Sequence, residues 1–224
     1  MQPSSYSLKT PSTVQFKTTF FKFVSLVFHP LFVPTMVFAF FVYLSPGLFF
    51  GITEKTYSWW LIVLAYSTIT FPLLTVFLLW RLKFIDSMQM HGTKERYGPL
   101  ISSMLFYFWV FWLFHKQFNA PLLIQSFLFG VFLTSVCVFM ATIFFKISMH
   151  SAAWGGVICI AMLSAFQHID YAVFALVVAI GIAGLVGSAR LFLQAHSPKQ
   201  LYSGYIVGFL AQGLAYFVLS LLLK

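Results

Sequence analysis

Three short stretches hold most of the groups in this chain that can do chemistry. They read Lys94-Glu95-Arg96-Tyr97-Gly98-Pro99, then Lys146-Ile147-Ser148-Met149-His150, then Arg190 with His196 six positions on and Gln200 four beyond that. All three present cations, the last two add a histidine each, and carboxylates are scarce. Such a set suits an anionic ligand, and phosphate is the first candidate. Arginine offers a two-pronged donor to phosphate oxygens and lysine a point charge. One histidine can attack phosphorus while a second protonates the leaving oxygen. The cations would offset charge on the phosphoryl oxygens, which is most of what phosphoryl transfer asks of a protein. Neither a disulfide framework nor a zinc pattern is present, so no metal and no cofactor are expected.

The elements that must hold these groups are set by composition. The 224 residues are 61% hydrophobic and 8% charged, with 30 phenylalanines, and the mean hydropathy is +0.94. So few charges cannot form the polar shell of a soluble domain of this length, which points to a membrane protein. Apolar runs long enough to cross a bilayer occupy 24–45, 58–80, 99–115, 121–145, 151–169, 171–189 and 202–223. None alternates polar and apolar residues as membrane strands do. The expected fold is therefore an all-α bundle of about seven transmembrane helices. Residues 1–20 form a polar N-terminal segment and 21–224 a single transmembrane domain. The polar start and the length of the first run argue against a secretion signal. Pro30, Pro34 and Pro72 predict kinks or late helix starts. Gly204 and Gly208, spaced as GxxxG, predict close packing of the last helix.

Seven spans place the N-terminus and the second, fourth and sixth connections on one side. That side holds Lys9, Lys17, Lys22, Arg81, Lys83, Lys94, Arg96, Lys146, Arg190 and Lys199, ten of the 13 Lys and Arg; the other side has Lys55, Lys116 and Lys224. The excess makes the first side cytoplasmic by the positive-inside rule, with the chain expected in a membrane such as the bacterial inner membrane. Setting aside Lys94, Arg96, Lys146, Arg190 and Lys199 as site residues leaves five against three. The net charge of +9 lies at span ends, which fits an anionic lipid surface better than nucleic acid. Ionisable groups at membrane depth are costly and mark sites. On a continuing helix, Arg190 and His196 would lie within two turns, close to one face. His29, His115 and His168 read as helix-end or packing residues, Glu54 and Asp170 as solvated loop charges on the opposite side. Cys137 and Cys159 read as small apolar core residues. The span 202–223 contains no lysine for a retinal, and the spans show few of the polar midplane groups a transporter needs.

In order, separation and sidedness the three stretches resemble the membrane-bound phosphatidic acid phosphatases of type 2, over roughly residues 80–210. That family carries Lys…Arg-Pro, then Pro-Ser-Gly-His, then Ser-Arg-x5-His-x3-Asp at the ends of alternate helices. Ser148-Met149-His150 is similar to the second element, and Arg190-x5-His196 matches the spacing of the third. The resemblance implies a lipid phosphatase acting on a lipid phosphomonoester or polyprenyl pyrophosphate. His196 would be the nucleophile, passing through a phosphohistidine, and His150 the general acid. Arg190, Ser148, Lys94, Arg96 and Lys146 would bind phosphate. The implied partners are an anionic phospholipid or polyprenyl phosphate substrate and the surrounding membrane lipid. The chain departs from the pattern in three places: Ala189 replaces Ser, Lys94 and Arg96 lack the family spacing, and Gln200 replaces the Asp that orients the nucleophile. An amide can accept a hydrogen bond from imidazole but cannot stabilise an imidazolium. The corresponding loss in a serine protease costs about 10⁴ in rate. Asp86 or Glu95 from the same side would be the substitutes. The alternative is a weak or inactive relative that binds or moves anionic lipids.

Overall fold

The computed structural model describes residues 12–85 and 97–223. Among the described residues the chain is helical without strands: α1 (Ser12–Val27), α2 (Val33–Leu44), α3 (Glu54–Ala65), α4 (Phe71–Arg81), α5 (Tyr97–Trp112), α6 (Leu122–Phe144), α7 (Met149–Phe166), α8 (Ala172–Phe192) and α9 (Pro198–Leu222). A π-turn at Tyr66–Thr70 joins α3 to α4, and a second at Leu113–Gln117 extends α5. Six helices are then long and apolar enough to cross a membrane: Glu54–Arg81, Tyr97–Gln117, Leu122–Phe144, Met149–Phe166, Ala172–Phe192 and Pro198–Leu222. This is the architecture of a multi-pass membrane protein. The first π-turn has a local cause. Pro72 lacks an N–H and its ring crowds the preceding turn, and the Phe71 N–H reaches back to the Tyr66 carbonyl instead, widening the helix just before the proline.

The apolar run 24–45 does not form one span. α1 ends at Val27, a turn occupies 28–32, and α2 starts at Val33 with Pro34 in its first turn. Pro30 cannot donate to a helix ladder and disfavours helical geometry in the residue before it. The 12 residues of α2 rise about 18 Å at 1.5 Å per residue, short of the roughly 30 Å hydrocarbon layer. The run broken at Pro30 thus yields two short helices, whereas Pro72 is absorbed by a π-turn within a continuous span.

Helix α7 is the centre of the bundle: 61% of its apolar window is buried, against 22–33% for the other five spans. Its small residues let α9 approach to backbone contact. A Cβ at Gly208 would overlap the Ala152 carbonyl, one at Gly204 the Ser151 hydroxyl, and one at Gly155 the Tyr205 carbonyl. The GxxxG pair thus packs α9 on α7, as its spacing predicts. Helix α6 lies along α9, α8 along α7, and α1 along α8. At the end away from the cationic stretches, Phe38, Phe49, Trp60, Phe114 and Phe118 interlock. There the Ser45 hydroxyl donates to the Asp170 carbonyl at 2.7 Å, tying α2 to the α7–α8 turn. Outward faces carry exposed Leu105, Val173, Val177, Leu210 and Phe217; such surface is a liability in water and ordinary against lipid. Cys159 is buried, but Cys137 is exposed on that outer face rather than in the core.

Candidate functional site

The α6–α7 and α8–α9 connections meet because α7 and α9 pack side by side. Ser148 N–H donates to the Gln200 carbonyl at 3.2 Å, joining the starts of the two helices. Ser148 is the N-cap of α7: its hydroxyl accepts from Ser151 N–H at 3.3 Å, and its carbonyl accepts from the Ser151 hydroxyl at 3.0 Å. It is 0% exposed. The hydroxyl expected to contact phosphate thus accepts at the cap and lies buried at the start of α7. Lys146 is exposed in the linker before it. Lys94 and Arg96, and Asp86 and Glu95 with them, lie outside the described residues.

His196 is not on the continuing face of α8. The helix ends at Phe192, Gln194 takes a left-handed φ of 50°, and the Ala195 N–H closes onto the Arg190 carbonyl at 3.0 Å. The turn delivers His196 to the start of α9, one residue before the N-cap Ser197. A capping box follows, in which the Ser197 hydroxyl accepts from Gln200 N–H and the Gln200 side-chain oxygen accepts from Ser197 N–H at 3.2 Å. The same oxygen, Oε1, lies 3.2 Å from His196 Nδ1. A backbone N–H can only donate, so the amide must turn its oxygen toward Ser197. His196 Nδ1 then carries the hydrogen and Nε2 the lone pair.

The same reasoning assigns His150. Its Nε2 lies 3.0 Å from the Ser25 carbonyl, an acceptor only, so Nε2 carries hydrogen and Nδ1 is left to gain or lose a proton. This contact has a structural origin. α1 stops at Val27, and the His29 N–H that would have paired with Ser25 turns to the Leu26 carbonyl. His150 satisfies the orphaned carbonyl. One turn along α7, Trp154 Nε1–H does the same for the Phe28 carbonyl at 3.2 Å.

The break in the first run brings in His29, which the sequence presents as a helix-end or packing residue. His29 stands edge-to-face against His150, ring centroids 5.0 Å apart. Arg190, in the last turn of α8, lies within electrostatic range of both rings, and His196 within range of His150. Four elements thus assemble His29, His150, Arg190 and His196. The signal for His29 was present in the sequence, since His29-Pro30 falls at the start of the first apolar run, on the side with the cationic stretches. His115 and His168 do stay at helix ends, His115 Nδ1 being 2.7 Å from Gln125 Oε1 at the far end of the bundle. The described carboxylates, Glu54 and Asp170, belong to the start of α3 and the α7–α8 turn at that far end. α7 and α9 both direct their N-termini, the positive poles of their dipoles, toward the cluster.

No family model, curated protein or solved structure matches the chain.

Proposed function

We propose that the protein is a lipid phosphate phosphatase, with a phosphatidic-acid-phosphatase-like core, working through a phosphohistidine on His196. The observation that supports this reading is the Gln200 Oε1 contact to His196 Nδ1, which puts the hydrogen on Nδ1 and the lone pair on Nε2, the form a nucleophile needs, at the end of the bundle that holds His150 and Arg190. A phosphate dianion suits a cluster of one guanidinium and three imidazoles at two helix N-termini, with no described carboxylate at that end of the bundle.

In the first step His196 Nε2 bonds to phosphorus and the phosphorus–oxygen bond to the lipid breaks. The leaving oxygen takes the proton that the negative charge of the bound phosphate draws onto His150 Nδ1, while Nε2–H stays on the Ser25 carbonyl. Arg190 offsets the charge on the phosphoryl oxygens. In the second step water attacks the phosphohistidine, and neutral His150 Nδ1 accepts the water proton as His196 Nε2 leaves. Inorganic phosphate departs and both imidazoles return to their starting states. No metal enters this sequence. The substrate reaches the site from within the bilayer, and on the charge count the site faces the cytoplasm.

A second reading, a relative that binds or moves anionic lipids without efficient turnover, is favoured by Gln200. A neutral amide orients His196 but cannot offset the positive charge that its ring gains on phosphorylation. Purified protein in lipid nanodiscs, assayed for phosphate release from phosphatidate, lysophosphatidate and polyprenyl phosphates, separates the two. Turnover that falls by about 10³ or more in a folded His196→Ala variant supports the phosphatase. Unchanged release in that variant removes His196 as nucleophile, and binding without any release favours the second reading.

A further inference from the structure

His29 borders two environments. Its ring stands against His150, and it also lines a cavity of about 520 Å³, within the roughly 300–1,000 Å³ of small-molecule sites. The cavity lies among α2, α4, α5, α6, α7 and α9, and its walls are mostly apolar, with Leu100, Val131 and Phe127 among them. Along α6 the lining runs from Val138 to Phe127, a rise of about 16 Å, or roughly half the hydrocarbon thickness. At the inner end Gln212 is occupied, its Nε2 donating to the Ser126 carbonyl at 3.0 Å. The chamber therefore offers mostly hydrocarbon along its length, with the His29 imidazole on the wall that adjoins His150.

The form of His29 is set by its own backbone. Leu31 N–H donates to His29 Nδ1 at 3.2 Å. A second ring hydrogen would have to sit on Nδ1, pointing at that donor, so the turn holds the ring neutral with hydrogen on Nε2 alone. The charged and titratable groups facing it are His150 from α7 and Arg190 from α8. A neutral imidazole in this state is a hydrogen-bond donor and not an acid, because losing Nε2–H would leave an imidazolate. A lipid phosphate has one oxygen that must lie between its phosphorus and its chain. His29 is the group shared by the cluster and the cavity wall, so a lipid phosphate with its phosphate at the cluster and its chain in the cavity would carry that oxygen past His29.

Building on the phosphate reading above, we propose that His29 is a substrate-binding residue, donating Nε2–H to the ester oxygen of a lipid phosphate whose hydrocarbon chain occupies the cavity. The site then selects phosphate esters of long-chain lipids over free phosphate. As the phosphorus–oxygen bond breaks, charge grows on the ester oxygen and the His29 hydrogen bond strengthens. The proton itself still comes from His150 Nδ1.

The test uses the full chain in nanodiscs, titrated with dodecyl phosphate and with inorganic phosphate, with empty nanodiscs subtracted. Wild type is expected to bind dodecyl phosphate more than tenfold tighter, at about 1.4 kcal/mol for each factor of ten. Val131→Trp fills the cavity and should bring dodecyl phosphate toward the affinity of inorganic phosphate. His29→Phe should weaken dodecyl phosphate by about tenfold, the worth of one hydrogen bond, and His29→Gln, which keeps a donor, should recover part of it. Equal affinity for both probes in wild type, or a His29→Phe variant that binds as wild type does, overturns this inference while leaving the phosphate site standing. Binding of neither probe overturns both.

Discussion

The three imidazoles at the cationic end differ in which nitrogen bears hydrogen, and backbone groups with a single possible role set each choice. Ser197 N–H orients Gln200, which puts hydrogen on His196 Nδ1; the Ser25 carbonyl puts it on His150 Nε2; Leu31 N–H keeps it off His29 Nδ1. Under the proposed mechanism these forms make His196 the nucleophile, His150 the proton carrier and His29 a fixed donor. Gln200→Asp keeps an oxygen acceptor near His196 and adds the charge that an imidazolium needs. It is expected to raise phosphate release at least tenfold, within a ceiling of about 10⁴; a fall in release with the fold intact would count against His196 as the phosphorylated residue. His150→Ala leaves the Ser25 carbonyl buried and unpaired. Besides losing turnover, it is expected to lower unfolding stability by about 1–3 kcal/mol, read by denaturant titration in nanodiscs, whereas an unaltered midpoint would mean that water or another donor replaces the imidazole. The His196–Gln200 pair was legible in the sequence because four positions at a helix start bring side chains together. The His150–Ser25 contact was not, because its partners are 125 positions apart and exist only through a helix end that no spacing announces.

At the scale of elements, the site depends on the seam between α7 and α9 and on the stop after α1. Gly208 presses on the Ala152 carbonyl, so Gly208→Val must push α9 outward. A cost of about 1–3 kcal/mol is expected, together with separation of His150 from His196. A variant equally stable and equally able to bind phosphate would show that the seam does not position the site. Trp154→Phe removes the donor to the Phe28 carbonyl and should loosen the α1–α2 turn, cutting phosphate affinity several-fold through His29 without touching a ligand atom. The ends of six spans were legible to within a few residues, since length and hydropathy are properties of the local chain. The first run read as a seventh span because its hydropathy continues across Pro30. The broken ladder there is what supplies a bent backbone, and with it His29. The second π-turn, at Leu113–Gln117, has no proline behind it and no warning in the sequence.

For the whole molecule, alternating spans put the α6–α7 and α8–α9 connections at one end and the α7–α8 turn at the other. Reporters in 145–148 and 193–197 should therefore map to one side of the membrane, and a reporter at 167–171 to the opposite side; a split between the first two would dissolve the site. The paucity of charge that identifies a membrane chain also made the few cations conspicuous, so the sequence directed attention to one end of the bundle, where His29, His150, Arg190 and His196 gather. It did not show, within that end, that Ser148 caps a helix or that His29 joins the cluster. The most direct measurement is the chemistry itself: incubate the protein with a ³²P-labelled long-chain lipid phosphate, quench in base, and locate the label by peptide mapping. The phosphatase mechanism predicts an acid-labile, base-stable phosphohistidine on Nε2 of His196, lost in His196→Ala. Label that persists in that variant, or substrate hydrolysed with no trapped intermediate on His196 under single turnover, would contradict it.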